Sequence, residues 1–229
     1  MNLSGYSIKG KNKEFNQDYF LIKNNKFFIS DGCSSVPYSD LGSRMLVHGA
    51  SVEQTLDVIL DSADNLGLEP ESLCATLLSG EVDEWGISLK MEGDGVVIWK
   101  EKDCEKLLFY EVKFQGNAPY YPIYNQLGIQ HTKIGQLFYN SKEGGSGSSY
   151  SYRNSEHVYE LNWYWKRNEV LNLEWLCVCT DGISEYREQW PQIFNFKSVH
   201  GDFIKRRFQH FVKDFNSPTD DLTIVGCSL

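Results

Sequence analysis

Four aspartates, Asp18, Asp31, Asp181 and Asp220, stand where apolar, strand-like runs begin or end. Two of them precede glycine, as Asp31-Gly32 and Asp181-Gly182, and Asp94 lies in a Met-Glu-Gly-Asp-Gly segment. A strand end is a rigid place from which to project a carboxylate, whereas a mid-strand position buries it or turns it to solvent. Oxygen-only ligands suit Mg²⁺ or Mn²⁺ and disfavour zinc, which prefers nitrogen and sulfur. Two such ions roughly 4 Å apart lower the pKa of a bridging water and offset the charge that gathers on a phosphoryl group during in-line attack. A single Asp-Gly step is commonly no more than a turn. The set, in matched settings, is what points to a metal site.

The elements that must position these groups are legible in the patterning. Residues 18–23, an Asn24-Asn25 turn and residues 26–30 read as a β-hairpin that delivers Asp31-Gly32. Ser39 is placed as an N-cap, and Leu41, Met45, Val52, Leu56 and Leu60 recur at helical spacing, which predicts one long amphipathic helix against a sheet. A second short helix is expected around Leu73 to Leu78, followed by strands at 87–91, 96–100 and 107–114. In the last of these Leu108, Tyr110, Val112 and Phe114 alternate with Glu111 and Lys113, a strand with unlike faces. Residues 115–152, tyrosine-rich early and Gly/Ser-rich late, read as a flap or loop. Strands follow at 157–165 and 173–180, the second delivering Asp181-Gly182. Ile204, Phe208, Phe211, Val212 and Phe215 mark a final amphipathic helix, and Asp220 and Asp221 open the last strand, 222–229. Two sheets with helices outside them fit this order.

Composition narrows the chemistry. The 229 residues suit one domain spanning 1–229, and 22 Lys and Arg against 31 Asp and Glu give a formal charge of −9. That excess argues against a broad grip on nucleic acid or anionic lipid. It also opposes any phosphorylated substrate unless carboxylate-held cations reverse the local field. No apolar run approaches the roughly 18 residues of a membrane helix and no leader pattern opens the chain, so a cytoplasmic protein is expected. Six cysteines without a C-x-x-C pair read as reduced thiols. His48, His131, His157, His200 and His210 share no ligand spacing. Gly144, Gly145 and Gly147 make no phosphate loop, and neither a Gly-x-Ser-x-Gly elbow nor a cysteine-arginine phosphatase loop is present. Lys205-Arg206-Arg207 reads as a solvated helix face. Trp163, Trp165, Trp175, Tyr120, Tyr121 and Tyr124 read as core and flap packing.

Five segments, GKNKEFNQDYF, ISDGCSSVPYSDLGSRMLV, MEGDGVV, CTDGISEY and DDLTIVGCSL, resemble in order and spacing the blocks of PPM-type (type 2C) serine/threonine phosphatases, nearest their compact bacterial branch. The resemblance spans almost the whole chain and implies an α+β fold, a four-layer α-β-β-α sandwich of two antiparallel sheets flanked by helices. It implies that Asp31 bridges two divalent ions, Mn²⁺ or Mg²⁺, with the Gly32 carbonyl as a further ligand. Asp181 and Asp220 complete the first ion's coordination and Asp18 holds the second, largely through water. Asp94 matches the aspartate that helps Asp181 bind a third, weaker ion, and Lys13 stands where a phosphate-binding arginine is common. Asp31, Asp181 and Lys13 are thus the expected catalytic residues, for hydrolysis of phosphoserine or phosphothreonine by attack of a metal-bridging water. A phosphoprotein substrate, a cognate Ser/Thr kinase and a monomeric state follow from the same likeness.

Departures from the pattern are specific. Cys33 replaces the histidine proposed as general acid, and a neutral thiol is the poorer proton donor near neutrality. Gln17 replaces an acidic residue, Lys13 offers a point charge in place of a bidentate fork, and Asp221 replaces asparagine. The Cys33, Gln17 and Lys13 changes motivate one rival reading, a regulatory or binding module of the same fold without turnover; a second rival, a two-metal enzyme acting on a small phosphoester, uses the same carboxylate logic.

Overall fold

The computed structural model describes residues 2–116, 118–131, 135–139, 150–152 and 160–228. In chain order the elements are β1 (Asn2–Ile8), β2 (Tyr19–Lys23), β3 (Lys26–Ser30), α1 (Ser39–Ser51), α2 (Leu56–Asn65), β4 (Leu77–Val82), β5 (Gly86–Glu92), β6 (Gly95–Glu101), β7 (Leu108–Phe114), β8 (Gly135–Tyr139), β9 (Tyr150–Tyr152), β10 (Glu160–Lys166), α3 (Arg167–Val170), β11 (Leu173–Cys179), α4 (Trp190–Ile193), α5 (Phe203–Phe215) and β12 (Leu222–Ser228). One sheet runs β1-β12-β11-β6-β7-β8-β9 and the other β10-β5-β4-β3-β2. Every pairing is antiparallel.

The two sheets pack face to face over a core that includes Phe27, Ile29, Leu78 and Leu89 from one side and Val97, Leu176, Val178 and Val225 from the other. The far face of the larger sheet is covered by α4 and α5, where Val96, Ile98, Trp175, Cys177 and Cys179 meet Phe203, Ile204, Phe208 and Phe211. This explains why β11 and β12 read as continuous apolar runs: both faces are covered, so alternation disappears. Cys177 and Cys179 share the helix-facing side, and all six cysteines are free thiols. Outside the smaller sheet, α1 and α2 bring Leu46, Ile59 and Ala63 against Leu73, Ala75 and Ile123. The layer order is that of an α-β-β-α sandwich. No helix among the described residues is long and apolar enough to cross a membrane.

Several elements differ from the sequence reading. The expected long helix is two, because Glu53 takes a left-handed φ of 59° and the N–H groups of Val52, Glu53 and Gln54 bond back to Gly49 and Ala50. Its apolar periodicity misleads: Leu41 and Val52 are exposed, and the buried face carries the small residues Ser39, Gly42, Ser43 and Gly49 beside Leu46 and Val47. Small residues are needed because a Cβ on Gly42 would overlap the Ser72 carbonyl. Tyr38, not Ser39, is the cap residue. The short helix expected around 73–78 is a single 3₁₀ turn, Pro70–Leu73, after which Leu77 and Leu78 already belong to β4.

β1 was not read from the sequence, since Asn2–Ile8 carries little apolar alternation; its ladder with β12 holds it in place. The described part of the 115–152 region includes β8 and β9, which extend the larger sheet beyond β7, while residues 117, 132–134 and 140–149, with the Gly/Ser run, lie outside the described residues. Residues 157–159 of the expected 157–165 strand, His157 included, also lie outside them.

Candidate functional site

The aspartates converge because the strand ends that carry them meet at one end of the two sheets. Asp31 follows β3 and is pinned by Thr76: its N–H donates to Thr76 Oγ1 (3.2 Å), and its carbonyl accepts from the Thr76 N–H (2.9 Å). Gly32 then bridges Ala75. A Cβ on Gly32 would lie 2.7 Å from the Ser39 carbonyl oxygen and 2.8 Å from that of Gln17, so this Asp-Gly step is a close backbone approach and not a hairpin turn. Asp181-Gly182 follows the same logic. It opens a 3₁₀ stretch, Asp181–Gln189, where a side chain on Gly182 would overlap the Asp221 carbonyl. Asp94 sits in the β5–β6 turn between Gly93 (φ 108°) and Gly95 (φ 151°), a backbone that side chains rarely adopt.

Asp31, Gly32, Asp94, Asp181 and Asp220 line one cavity of about 240 Å³, with Cys33 and Tyr121 in its wall. Asp18 is buried behind it and accepts a hydrogen bond from Thr180 Oγ1 at 2.8 Å, while its Oδ1 is buried with no partner. Burial, then the charge of Asp221, pushes the Asp18 carboxyl up to about 8. Burial and the neighbouring Asp18, Asp181, Asp94 and Asp220 hold Asp31 well above the usual carboxylate range. Asp94 is raised by burial and by Asp181, and Asp181 by burial and by Asp220, with Lys113 pulling both the other way.

Among the described residues no three acidic, histidine or cysteine side chains draw close enough to close a cage round an ion. The carboxylates line the cavity without pinching it shut. The donor set nevertheless fits a hard divalent cation: its carboxyls and the Gly32 carbonyl offer only oxygen, Asp18, Asp31, Asp94 and Asp181 are desolvated, and one carboxyl oxygen, Asp18 Oδ1, is orphaned. None of His48, His131, His200 or His210 lines the cavity.

The part of the cavity wall at Cys33, Ser34 and Ser35 belongs to a loop that is laced to the 10–17 loop behind it. Lys13 Nζ reaches Asp220 Oδ1 at 2.7 Å, Gln17 Oε1 at 3.1 Å and the Ser34 hydroxyl. Burial works against its charge, but the Asp220 carboxylate, with Asp221 and Asp31 behind it, holds its pKa above the ordinary value. Gln17 Nε2 donates to Ser39 Oγ at 2.7 Å. The substituted Gln17 and Lys13 therefore bond to one another. Asp221 is also explained: its two oxygens accept the Gly10 and Gln17 N–H groups, each at 2.7 Å, a pairing that one asparagine oxygen would satisfy only in part. Tyr121 hydrogen-bonds with Cys33, and burial followed by that bond raises the phenol so that it keeps its proton.

The structure thus brings together every residue singled out from the sequence: Asp18, Asp31, Gly32, Asp94, Asp181, Asp220 and Lys13. Sequence reasoning missed Glu111, which it assigned to a polar strand face. Glu111 is buried, accepts from Ser184 Oγ at 2.6 Å, and pairs with Arg187 and with Lys113 Nζ at 3.0 Å. Lys113 lies two residues away, but the partners that make a buried Glu111 tolerable, Ser184 and Arg187, arrive from the chain after Asp181.

No family model matches the chain, and no curated protein matches it. Solved structures do. Serine/threonine phosphatase Stp1 from Staphylococcus aureus matches with a TM-score of 0.60 at 11% identity, over 99% of this chain and 94% of that one. The Mycobacterium tuberculosis serine/threonine phosphatase PstP/Ppp matches with a TM-score of 0.58 at 13% identity, over 100% and 98%. The catalytic domain of PstP in complex with two manganese ions matches with a TM-score of 0.54 at 11% identity, over 99% and 97%. At such identities the likeness is one of architecture, and the chain has the fold of the bacterial PPM-type serine/threonine phosphatases that its sequence resembles.

Proposed function

We propose that this chain is a metal-dependent phosphatase acting on phosphoserine and phosphothreonine in proteins. The observation that carries the reading is the convergence of Asp31, Asp94, Asp181 and Asp220 on one cavity, with Asp18 buried behind them. Asp31, the Gly32 carbonyl, Asp181 and Asp220 would hold one Mn²⁺ or Mg²⁺ ion, Asp31 and Asp18 would hold a second, and Asp94 with Asp181 a third. When bound, the ions supply Lewis acidity toward water and toward the phosphoryl oxygens.

The chain's own residues would do the rest. The carboxylates of Asp31 and Asp181 orient the attacking water by accepting its hydrogen bonds. The Lys13 ammonium offers positive charge at the rim to a phosphoryl oxygen, exchanging one of its present contacts with Asp220, Gln17 or Ser34. Cys33 stands in the wall where an imidazole would donate to the leaving alkoxide, so that proton comes from solvent. The partners are a phosphoprotein and the Ser/Thr kinase whose action is reversed.

The test is phosphate release from a phosphothreonine peptide and from para-nitrophenyl phosphate with Mn²⁺, Mg²⁺ or chelator, in the wild type and in Asp181→Asn. Manganese-dependent release that vanishes in the variant is expected; equal release in chelator would overturn the reading. One observation favours a binding module of the same fold: Lys13 is already engaged by Asp220. That alternative predicts Mn²⁺ binding without release from either substrate.

A further inference from the structure

Two large aromatic side chains stand exposed, Phe15 at 61% and Tyr38 at 63%, on loops that carry or bond to cavity-lining residues through Lys13, Ser34 and Asp220. Their positions are tied to one another. Phe15 lies between Lys13 and Gln17, and Tyr38 between Ser34 and Ser39; Lys13 bonds to Ser34, and Gln17 bonds to Ser39. Ser43 Oγ adds a 2.6 Å bond to the Gln17 carbonyl. The two rings are therefore held on one laced pair of loops, whose inner residues Cys33, Ser34 and Ser35 line the cavity.

Tyr38 carries a second oddity. It caps α1 with φ 60° and ψ 20°, a left-handed backbone, and no side-chain hydrogen bond closes the cap. Tyrosine is disfavoured there relative to glycine or asparagine, so the site keeps a strained residue whose ring faces water. Strain retained at a functional rim is a reason to ask what the ring meets.

The cavity supplies the answer. At about 240 Å³, lined by carboxylates and hydroxyls, it accommodates a phosphoryl group with its counter-ions but not the peptide that carries one. The residues flanking a phosphorylated side chain must then lie across the rim. We propose that Phe15 and Tyr38 form a substrate-specificity surface that packs against apolar residues flanking the phosphorylated serine or threonine, a proposal that rests on the phosphatase reading of the same site. Aromatic rings offer such a segment large contact area at little cost in side-chain entropy. They touch the peptide and not the reacting atoms.

The experiment compares wild type, Phe15→Ala and Tyr38→Gly, all with Mn²⁺, on para-nitrophenyl phosphate and on a phosphothreonine peptide with leucine on both sides of the phosphoresidue. Each variant is expected to lose about tenfold more kcat/KM on the peptide than on the aryl phosphate, chiefly through KM. Tyr38→Gly is also expected to melt about 2–4 °C higher, as the strained cap relaxes. Equal losses on both substrates, or none on either, would overturn the proposal. If the wild type releases no phosphate from the aryl ester, the phosphatase reading fails separately; binding of the fluorescent phosphothreonine peptide to the Mn²⁺-loaded protein then decides. Weaker binding by both variants sustains the surface, and unchanged or absent binding sinks it.

Discussion

The two walls of the cavity are built on opposite principles. On one, Asp31, Asp94 and Asp181, with Asp18 buried behind them, crowd carboxyls into a desolvated space, and Asp18 Oδ1 has no hydrogen-bond partner. On the other, the loops at 10–17 and 33–39 leave little unsatisfied: Lys13 has three partners, Gln17 bonds to Ser39, and Asp221 receives two backbone N–H groups. The loop wall is complete on its own, whereas the carboxylate wall opposes folding until a cation offsets its charge. Substitutions on the two walls should therefore differ in sign as well as size.

The largest effects belong to the carboxylate wall. Asp31→Asn or Asp181→Asn is expected to lower Mn²⁺-dependent turnover by about 10³-fold or more, roughly 4 kcal/mol in the barrier. In chelator, Asp31→Asn should stabilise the fold by about 1–2 kcal/mol, because it removes a buried carboxyl whose ionisation burial and its neighbours oppose. A variant that is less stable than wild type in chelator would show that the carboxylates do not repel as described. Next comes the ion itself: Mn²⁺ at about 100 times its dissociation constant should stabilise the wild type by roughly 2.7 kcal/mol, read as a rise in melting temperature. Asp31→Asn should lose most of that rise. An equal rise in both proteins would move the ion elsewhere.

The sequence was most legible where one physical cause acts locally. The β2–β3 hairpin was readable because Asn24-Asn25 separates two short apolar runs; in the turn Asn24 takes a left-handed φ of 58°. The carboxylates were readable because each marks a strand end. What escaped was set by tertiary contact. α1 buries Gly42 and Ser43 and exposes Leu41, because the Pro70–Leu73 turn itself, through Ser72 and Leu73, approaches Gly42 too closely for a larger side chain. Glu111 looked like the solvent face of β7 because its partners Ser184 and Arg187 lie more than seventy positions away. The loop wall was half readable: Gln17, Lys13 and Asp221 stood out as departures, but only the geometry makes them one hydrogen-bonded unit.

That unit predicts a smaller effect. Asp221→Asn should keep one of the two backbone contacts to Gly10 and Gln17 and weaken the other, costing about 1–2 kcal/mol of stability in the metal-free protein. The sign is opposite to that of Asp31→Asn, although both changes remove one negative charge from the same neighbourhood. Urea unfolding in chelator gives both numbers from one series. If Asp221→Asn stabilises, its charge outweighs its hydrogen bonds, and the contrast between the walls is one of degree.

The smallest expected change separates holding the loops from holding the substrate. Lys13 uses a point charge to serve Asp220, Gln17 and Ser34 at once, so a phosphoryl oxygen must displace one of them. An arginine has five donors on a planar fork and can keep one edge on Asp220 while turning the other to the phosphate. Lys13→Arg is therefore expected to lower KM for para-nitrophenyl phosphate by about two- to fivefold with kcat little changed, an effect below 1 kcal/mol. Lys13→Ala should raise KM and also loosen the loops, since Asp220 and Ser34 lose their shared partner. If Lys13→Arg leaves KM where it was while Lys13→Ala lowers only stability, side chain 13 belongs to the scaffold and the phosphate is held by the carboxylate wall's ions alone.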